Sequence, residues 1–532
     1  MAEQKKYRNP AEYPAGIFDF QKLRKNKCLY VDKTDLIYQL AQSSFVFLSR
    51  PRRFGKSLLC TTLKYYFQGR RDLFEGLAIE NLETEWLQYP VLHFSISSLK
   101  DKPIEMMPDQ LGYMLREYEA IYGTDGATTP GMRLQSLIRR AHQQTGLGTV
   151  VIIDEYDAPM LTHLHDPERM AQVRRIMQEF YQSLKECDAD ERFVFITGIT
   201  KFSQLSIFST INNLSNITMD RQYNALCGIS ESELHQYFTL DIEMLAEEYE
   251  MTPEAMTAEL KRRFDGYHFA RKGEDIYNPY SLIRAFFHRE LQSYWFASGT
   301  PTFIIEELRR HGTDLLKYDG AKASASEFDQ PTEALTNPLP LLYQAGYLTI
   351  KDYRLSSDTY TLGLPNAEVG AGLMENVLPM ISGTNMADNL SYATVIRDGL
   401  ATGDTDRAMQ ALQSFLTSIP YMQQGKDQLG DLAKLEALYQ RDLYVFFRGM
   451  GANVNVEVMM ATGRVDMVMV IGDYVYVMEF KVSASAQSAL DQIDRHKYYE
   501  PWRTVQRQVL KCGVRFDVTD RTLKDWQFLP VE

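Results

Sequence analysis

Hydrophobic residues along this chain follow two different periods, and the switch between them divides it. In the amino-terminal part they come as short unbroken runs, Phe45–Leu48, Val150–Ile153 and Phe193–Ile196, with a mostly apolar fourth at Val91–Ile96. Such runs predict strands buried on both faces. Helix-prone segments separate them, one directly after the first run and one around Met132–Gln144. Strand alternating with helix predicts a parallel α/β sheet with crossover helices, whose ligands gather at the strands' carboxyl ends. From Cys227 the pattern turns helical. Ser230 and Glu233 make a capping box, and Thr252-Pro253 opens a helix that runs to Phe264 and stops at Asp265-Gly266. Leu341–Ile350 reads as helix, glycine turn and strand, and Ala321–Pro338 is the most turn-rich loop. This middle stretch is expected to form a helical lid with a winged-helix-like unit. Towards the carboxyl end, a helix over Leu432–Phe447 precedes three strands, Asn453–Met460, Arg464–Ile471 and Tyr474–Val482, and a helix from Ala489 towards Tyr499 follows. The polar stretch Gln423–Asp431 marks the last boundary, so the expected domains are 1–226, 227–430 and 431–532.

Composition adds limits. A chain of 532 residues, 45% hydrophobic and 24% charged, suits a soluble globular protein of about two to four domains. No apolar run approaches the ~18 residues of a membrane helix, and the first residues, MAEQKKYRNP, lack the apolar core of a signal peptide. The five cysteines are scattered without a C-x-x-C pair, which argues for reduced thiols in a cytoplasm and against zinc. The net charge of −13 excludes a general polyanion binder. From Arg441 onward twelve Lys and Arg balance twelve Asp and Glu, so the acidic excess lies upstream.

Candidate chemistry first appears in Phe45–Leu59, FVFLSRPRRFGKSLL, where an apolar strand enters a basic turn and then Gly55-Lys56-Ser57. This is the layout of a phosphate-binding loop, G-x-x-x-x-G-K-[ST], with Arg50 where the first glycine would stand. Arg53, Phe54, Gly55, Lys56, Ser57 and Leu58 would cradle the phosphates of ATP. Lys56 would reach the β/γ-phosphates and Ser57 would offer its hydroxyl to Mg²⁺. A chance strand-to-helix turn is the alternative. Asp154 and Glu155 follow the buried run Val150–Ile153, on what is expected to be the strand beside the loop. There Asp154 would hold Mg²⁺ and Glu155 would polarise the attacking water. Asp157 has no assigned part. Thr197 and Thr200 are candidates to sense the γ-phosphate, or simply satisfy the backbone at a strand end. Arg192, Arg221, Arg262 and Arg263 either complete the ATP site or lie on solvated helix faces. Asp32 or Thr34 caps a helix in a lead-in segment that would sit near the nucleotide base.

The second constellation lies in the carboxyl-terminal hairpin. Gly472-Asp473 suits a two-residue type II′ turn pairing Ile471 with Tyr474. Counting outward sets Asp466 opposite Glu479, and Lys481 shares the face of Glu479. Val468, Val470, Val475 and Val477 line the rest of that face. Two carboxylates so placed would ligate Mg²⁺, and Lys481 would orient water or stabilise the transition state of phosphodiester hydrolysis. Glu436 or Glu457 could add a carboxylate, and Gln492 could contact the site. A surface ion-pair ladder is the alternative.

Arg50–Leu58 (RPRRFGKSL), Val151–Asp157 (VIIDEYD) and Ile196–Phe208 (ITGITKFSQLSIF) together resemble the AAA-ATPase-like family of bacterial proteins, which shares the arginine at the first-glycine position. Tyr277–Ser281 and Leu341–Ile350 resemble the middle of the same proteins. Gly463–Val470 (GRVDMVMV), Val475–Lys481 (VYVMEFK) and Ala489–Ile493 (ALDQI) resemble the PD-(D/E)XK nuclease domain fused at their carboxyl end, with Val465 in place of the superfamily's proline. The resemblance implies a P-loop ATPase sheet, a helical and winged-helix-like middle region and a restriction-endonuclease-like α/β domain. It assigns metal ligation and hydrolysis to Asp466, Glu479 and Lys481. The expected function is an ATP-dependent, Mg²⁺-dependent nuclease acting on nucleic acid, DNA foremost, with no membrane partner. A homo-oligomer is left open. The competing reading is an ATP-controlled binding switch, for nucleic acid or protein, whose nuclease-like domain is inactive.

Overall fold

In the computed structural model, which describes residues 8–201, 214–297, 318–328, 338–382, 386–418, 443–444, 446–447, 450, 452–460, 462–482, 484–517 and 522–531, the four apolar runs become strands of one sheet. They are β1 (Phe45–Ser49), β2 (Val91–Ser95), β3 (Thr149–Asp154) and β4 (Glu191–Gly198), joined by a short edge strand, β5 (Leu214–Asn216). Every pairing is parallel and the order is β2-β3-β4-β1-β5. β1 and β3 consist of buried residues only, as an unbroken apolar run in a sheet covered on both faces requires. Helices α1 (Lys56–Phe67), α2 (Met107–Tyr122), α3 (Pro130–Thr145) and α4 (Pro167–Lys185) connect the strands. Thr129 and Asp166 cap the last two, each followed by proline.

The strand order corrects one expectation. The strand of Asp154 does not adjoin that of the loop, because β4 lies between them: Phe47 pairs with Ile196, and Ile196 with Ile153. Two inter-strand steps separate β1 from β3 by about 10 Å, a gap that side chains from the loop can span. β5 was not anticipated, since Leu-Ser-Asn carries no apolar run and its residues are partly exposed.

The helical stretch follows. β6 (Ile229–Ser230), α5 (Glu231–Glu248), α6 (Pro253–Phe264), β7 (Ile276–Tyr277) and α7 (Pro279–His288) pack around Leu234, Phe238, Ile242, Met256, Leu260 and Phe264. The capping box forms, with Ser230 and Glu233 each accepting the other's backbone N–H. β8 (Lys322–Ala323), α8 (Leu339–Gln344), β9 (Thr349–Arg354) and β10 (Thr359–Gly363) give the winged-helix-like unit, with an antiparallel sheet in the order β8-β10-β9. Gly346, at φ +87°, makes the turn from helix to strand. The chain divides into two units, and these elements belong with the parallel sheet in the first, Met1–Glu307 with Ala321–Asn366.

The second unit comprises Leu308–Gly320 and Ala367–Glu532. It holds α9 (Ala367–Ser382), α10 (Met386–Thr402) and α11 (Thr405–Ser418), then a five-stranded sheet in sequence order. Its strands are β11 (Asn453–Met460), β12 (Gly463–Ile471), β13 (Tyr474–Lys481), β14 (Gln508–Asp517) and β15 (Thr522–Pro530), with α12 (Ala486–His496) between β13 and β14. All neighbours are antiparallel except β13 and β14, which are parallel. Ile471 pairs with Tyr474 across Gly472-Asp473, and Gly472 alone takes positive φ, as a type II′ turn demands. β14 and β15 lie beyond the expected strands: β14 does alternate, with Cys512, Val514 and Phe516 against Lys511, Gly513 and Arg515, whereas Lys524-Asp525 interrupts the alternation of β15. The boundary Gln423–Asp431, Glu436 and most of the expected helix Leu432–Phe447 lie outside the described residues.

Candidate functional sites: a phosphate loop and a carboxylate hairpin

β1 delivers its chain into the turn Arg50–Gly55, in which Arg53 (φ +69°) and Gly55 (φ +89°) take the left-handed conformation. α1 then starts at Lys56 with no side chain capping its amino end, so its first N–H groups remain available to an anion. The Lys56 ammonium is buried and donates to the carbonyls of Arg50 and Pro51, both at 2.9 Å. Burial pushes its pKa down, while Asp154, Glu155 and Asp157 push it back up. Lys56 thus faces the acidic end of β3 across the intervening strand. Ser57 reaches the same place: burial raises the pKa of Asp154, and a hydrogen bond from Ser57 opposes that rise. The Oδ1 atom of Asp154 is buried without a hydrogen-bond partner. Oxygen donors in this state, beside a hydroxyl, fit a hard divalent cation. Glu155 follows in the left-handed region at φ +52°.

Arg50 is the largest departure from the usual loop, and its environment accounts for it. The side chain is 1% exposed. It donates to the carbonyls of Ser49 (3.0 Å), Thr218 (2.7 Å) and Tyr223 (3.2 Å) and lies 4.2 Å from the centroid of the Phe269 ring. Burial lowers its pKa to about 10. The guanidinium therefore staples the loop to the chain beyond β5 and to the helical stretch, a task no glycine performs. Phe54 packs edge-on against Tyr267 and Phe269, Arg53 sits 4.5 Å from the centroid of the Tyr280 ring, and Trp295 donates to the carbonyl of Arg52. Leu58 and Gly55 border an apolar cavity of about 100 Å³ whose wall includes Tyr30, Val31, Ile37 and Ile229. Asp32 in the lead-in accepts from the backbone N–H and hydroxyl of Thr34.

The acidic segment after β3 also organises the end of β4. Asp157, fully buried, accepts from Ile199 N (3.0 Å), Thr200 N (2.7 Å) and Thr200 Oγ1 (2.7 Å). Thr197 donates its hydroxyl to the carbonyl of Leu48. Both threonine hydroxyl protons are therefore committed, and neither residue offers a donor to a γ-phosphate. Arg192 stands at the start of β4, away from the loop, and donates to Ala41 and Ser43. Arg262 and Arg263 are held by Glu259. Those three arginines serve local structure.

In the second unit, Asp466 and Glu479 come together on one face of the sheet and are 7% and 2% exposed. The β12–β13 ladder ends one pair short of them, at Met467 with Met478, and Asp466 Oδ2 instead accepts from the N–H of Phe480 at 2.8 Å. Oε1 of Glu479 accepts from Lys481 Nζ at 3.0 Å and from the side-chain amide of Gln492 on α12. Oε2 of Glu479 is buried and has no partner. Burial and the charge of Asp466 push the Glu479 pKa up to about 7, against the pull of Lys481. The same face continues into Val468, Val475, Val477, Leu490 and Ile493. Two desolvated carboxylates on an apolar floor, with one oxygen orphaned, fit a divalent cation.

Comparison with known proteins agrees with both geometries. Residues 14–208 match the family model described as Predicted AAA-ATPase, and residues 434–526 match the PD-(D/E)XK nuclease superfamily. A protein of Azotobacter chroococcum mcd 1, described as "Uncharacterized protein in vnfD 5'region", is 33% identical over 523 residues, covering 96% of this chain and 97% of its own length. The chain belongs to the predicted AAA-ATPase family with a carboxyl-terminal PD-(D/E)XK nuclease superfamily domain.

Membership in a family with these two domains implies use of a nucleotide and of a divalent metal. No described helix of this chain is long and apolar enough to cross a membrane. Register places position 457 beside Asp466, between the pairs Val456–Met467 and Val458–Val465, though the Glu457 side chain lies outside the described residues. Sequence reasoning missed the parts played by Arg50 and Asp157. The only available signals were a missing glycine and a surplus acid, and neither names its partners.

Proposed function

We propose that this protein is an ATP-dependent nuclease, in which an ATP-hydrolysing unit controls a Mg²⁺-dependent domain that cleaves phosphodiesters in nucleic acid, DNA foremost. The observation that carries the reading is the buried, unpartnered Oε2 of Glu479 beside Asp466, with Lys481 bonded to the other oxygen of the same carboxylate. Burying two carboxylates on an apolar face destabilises a fold, and metal-assisted hydrolysis is a chemistry that uses such a pair.

In the first unit, Lys56 would leave the carbonyls of Arg50 and Pro51 for the β- and γ-phosphates of ATP. The backbone from Arg53 through Leu58, including Phe54 and Gly55, would cradle the phosphates. Ser57 and Asp154 would hold Mg²⁺, and Glu155 would accept a proton from the attacking water. In the second unit, Asp466 and Glu479 would hold the cation, and Lys481 would position water and balance the charge that develops on phosphate oxygens. Bound Mg²⁺ supplies a more acidic water and neutralises charge on the scissile phosphate. The five cysteines are all free and buried, which supports a reducing cytoplasm as its place.

The test is nuclease activity of the intact chain with and without ATP and Mg²⁺, on single-stranded, double-stranded and branched DNA and on RNA. Lys481→Ala should abolish cleavage and leave ATP binding intact. Equal cutting by wild type and variant would remove the nuclease assignment. The net charge of −13 favours the second reading, a nucleotide-controlled binding switch. Nucleic acid bound by the wild type but never cut would support that reading instead.

A further inference from the structure

One row beyond the carboxylates, the carboxyl-terminal sheet carries a cation that the proposed reaction does not use. Lys481 on β13 is the register partner of Arg515 on β14, so the two side chains leave the same face of parallel neighbours. Glu479 is likewise paired with Gly513. A Cβ at Gly513 would lie 2.1 Å from the carbonyl oxygen of Ala486, so α12 begins directly over that glycine. Arg515, two residues further on, lies past the helix start, at the carboxyl ends of β13 and β14. From strand spacing and rise, its Cα lies about 5 Å from that of Lys481 and about 8 Å from that of Glu479.

What sets Arg515 apart is that no carboxylate among the described residues is bonded to its guanidinium. Nearby cations are committed: Lys481 to Glu479, Lys511 to Asp494 and Lys524 to Asp517. Asp525 is the register partner of Arg515 on β15, yet among the described residues Arg515 makes no ion pair. Its side chain is half-buried, and its Nε is buried without a hydrogen-bond acceptor. A guanidinium on the same row as Lys481, with a desolvated donor left open, has a place for an anion. The fork geometry of arginine suits a phosphate in two-point contact.

We propose that Arg515 grips a backbone phosphate of the nucleic-acid strand next to the one attacked at Asp466, Glu479 and Lys481, and so fixes where the strand lies on that face of the sheet. The inference rests on the nuclease reading above. A phosphate contact positions the strand without reading its bases, so the effect of Arg515 is the same for every sequence.

The test uses the intact chain with labelled oligonucleotides and Ca²⁺, followed by fluorescence anisotropy across a salt series. Steady-state cleavage in Mg²⁺ runs alongside. Arg515→Ala should weaken binding about tenfold for all sequences. It should also flatten the dependence of log affinity on log salt by about 0.7 to 0.9. KM should rise more than kcat falls. Arg515→Lys should keep the salt slope and lose part of the affinity, while Arg515→Gln should lose the slope as alanine does. Thermal melting checks that each variant is folded, and the lysine and glutamine forms decide the matter if the alanine form is not. Wild-type affinity and slope in folded Arg515→Ala or Arg515→Gln, with wild-type protein cutting DNA, would overturn the role of Arg515 and leave the nuclease reading intact. A wild-type protein that neither binds nor cuts nucleic acid would overturn both.

Discussion

Replacing Glu479 by glutamine should make the metal-free protein more stable while ending its response to metal. The carboxylate lies 2% exposed, and its pKa rises from an ordinary 4.5 to about 7, through burial first and the Asp466 charge second. Below the lower of those values the folded and unfolded chains both hold the proton, and the group does not affect stability. As pH climbs from there towards 7, the unfolded chain releases the proton and the folded chain retains it, so stability falls and then levels off. At about 1.4 kcal/mol for each tenfold change in proton affinity, the destabilisation above neutral pH is about 3 kcal/mol. Glutamine removes that charge. Its carbonyl still accepts from Lys481 and Gln492, and its amide can donate towards Asp466. Calorimetric melting across a pH series, with and without Mg²⁺ or Mn²⁺, reads the effect on the transition that metal raises in wild type. Glu479→Gln should melt above wild type at about pH 8, the gap should shrink towards about pH 5, and added metal should no longer raise the transition. A variant that melts at or below wild type at the higher pH, with the same pH profile, would refute the reasoning.

Two other substitutions follow from the geometry. Arg50→Gly restores the usual glycine of a phosphate loop but removes three carbonyl contacts, and should cost roughly 2–4 kcal/mol of stability in urea unfolding. ATP should then no longer raise the melting temperature, whereas unchanged ATP affinity would mean that the staple is dispensable. Gly513→Val forces α12 away from β14, at a cost of roughly 1–3 kcal/mol. Because α12 carries Gln492 to Glu479, metal affinity in calorimetric titration should fall along with cleavage.

Features that reside in local periodicity were legible in the sequence. Val150–Ile153 had to be a doubly covered strand, and Gly472-Asp473 with flanking valines had to be a hairpin that brings Asp466 to Glu479. The strand order was not legible, because nothing within Phe193–Gly198 says that it inserts between β1 and β3. Arg50 shows the limit most clearly. In sequence it is an absent glycine, whereas in the fold it bonds Thr218, 168 residues away. Thr197 and Thr200 looked available because hydroxyls at strand ends face ligands in many sheets. Their actual acceptors, the Leu48 carbonyl and Asp157, come from other segments. Strand β15 is hidden by Lys524-Asp525, which breaks its alternation, whereas β14 does alternate, with Cys512, Val514 and Phe516 against Lys511, Gly513 and Arg515, the last two of which pair with Glu479 and Lys481.

The Gly472-Asp473 turn lies five residues from Asp466 and Glu479, a span of about 17 Å. Side chains alternate sides at every residue, so lengthening that corner by a single amino acid would shift one strand by half a repeat and send one acid to the opposite side of the sheet. The spacing of the two acids is thus set remotely, by a turn of two residues. Length changes there should be as damaging as deletion of either acid, even though nothing at the corner touches a substrate.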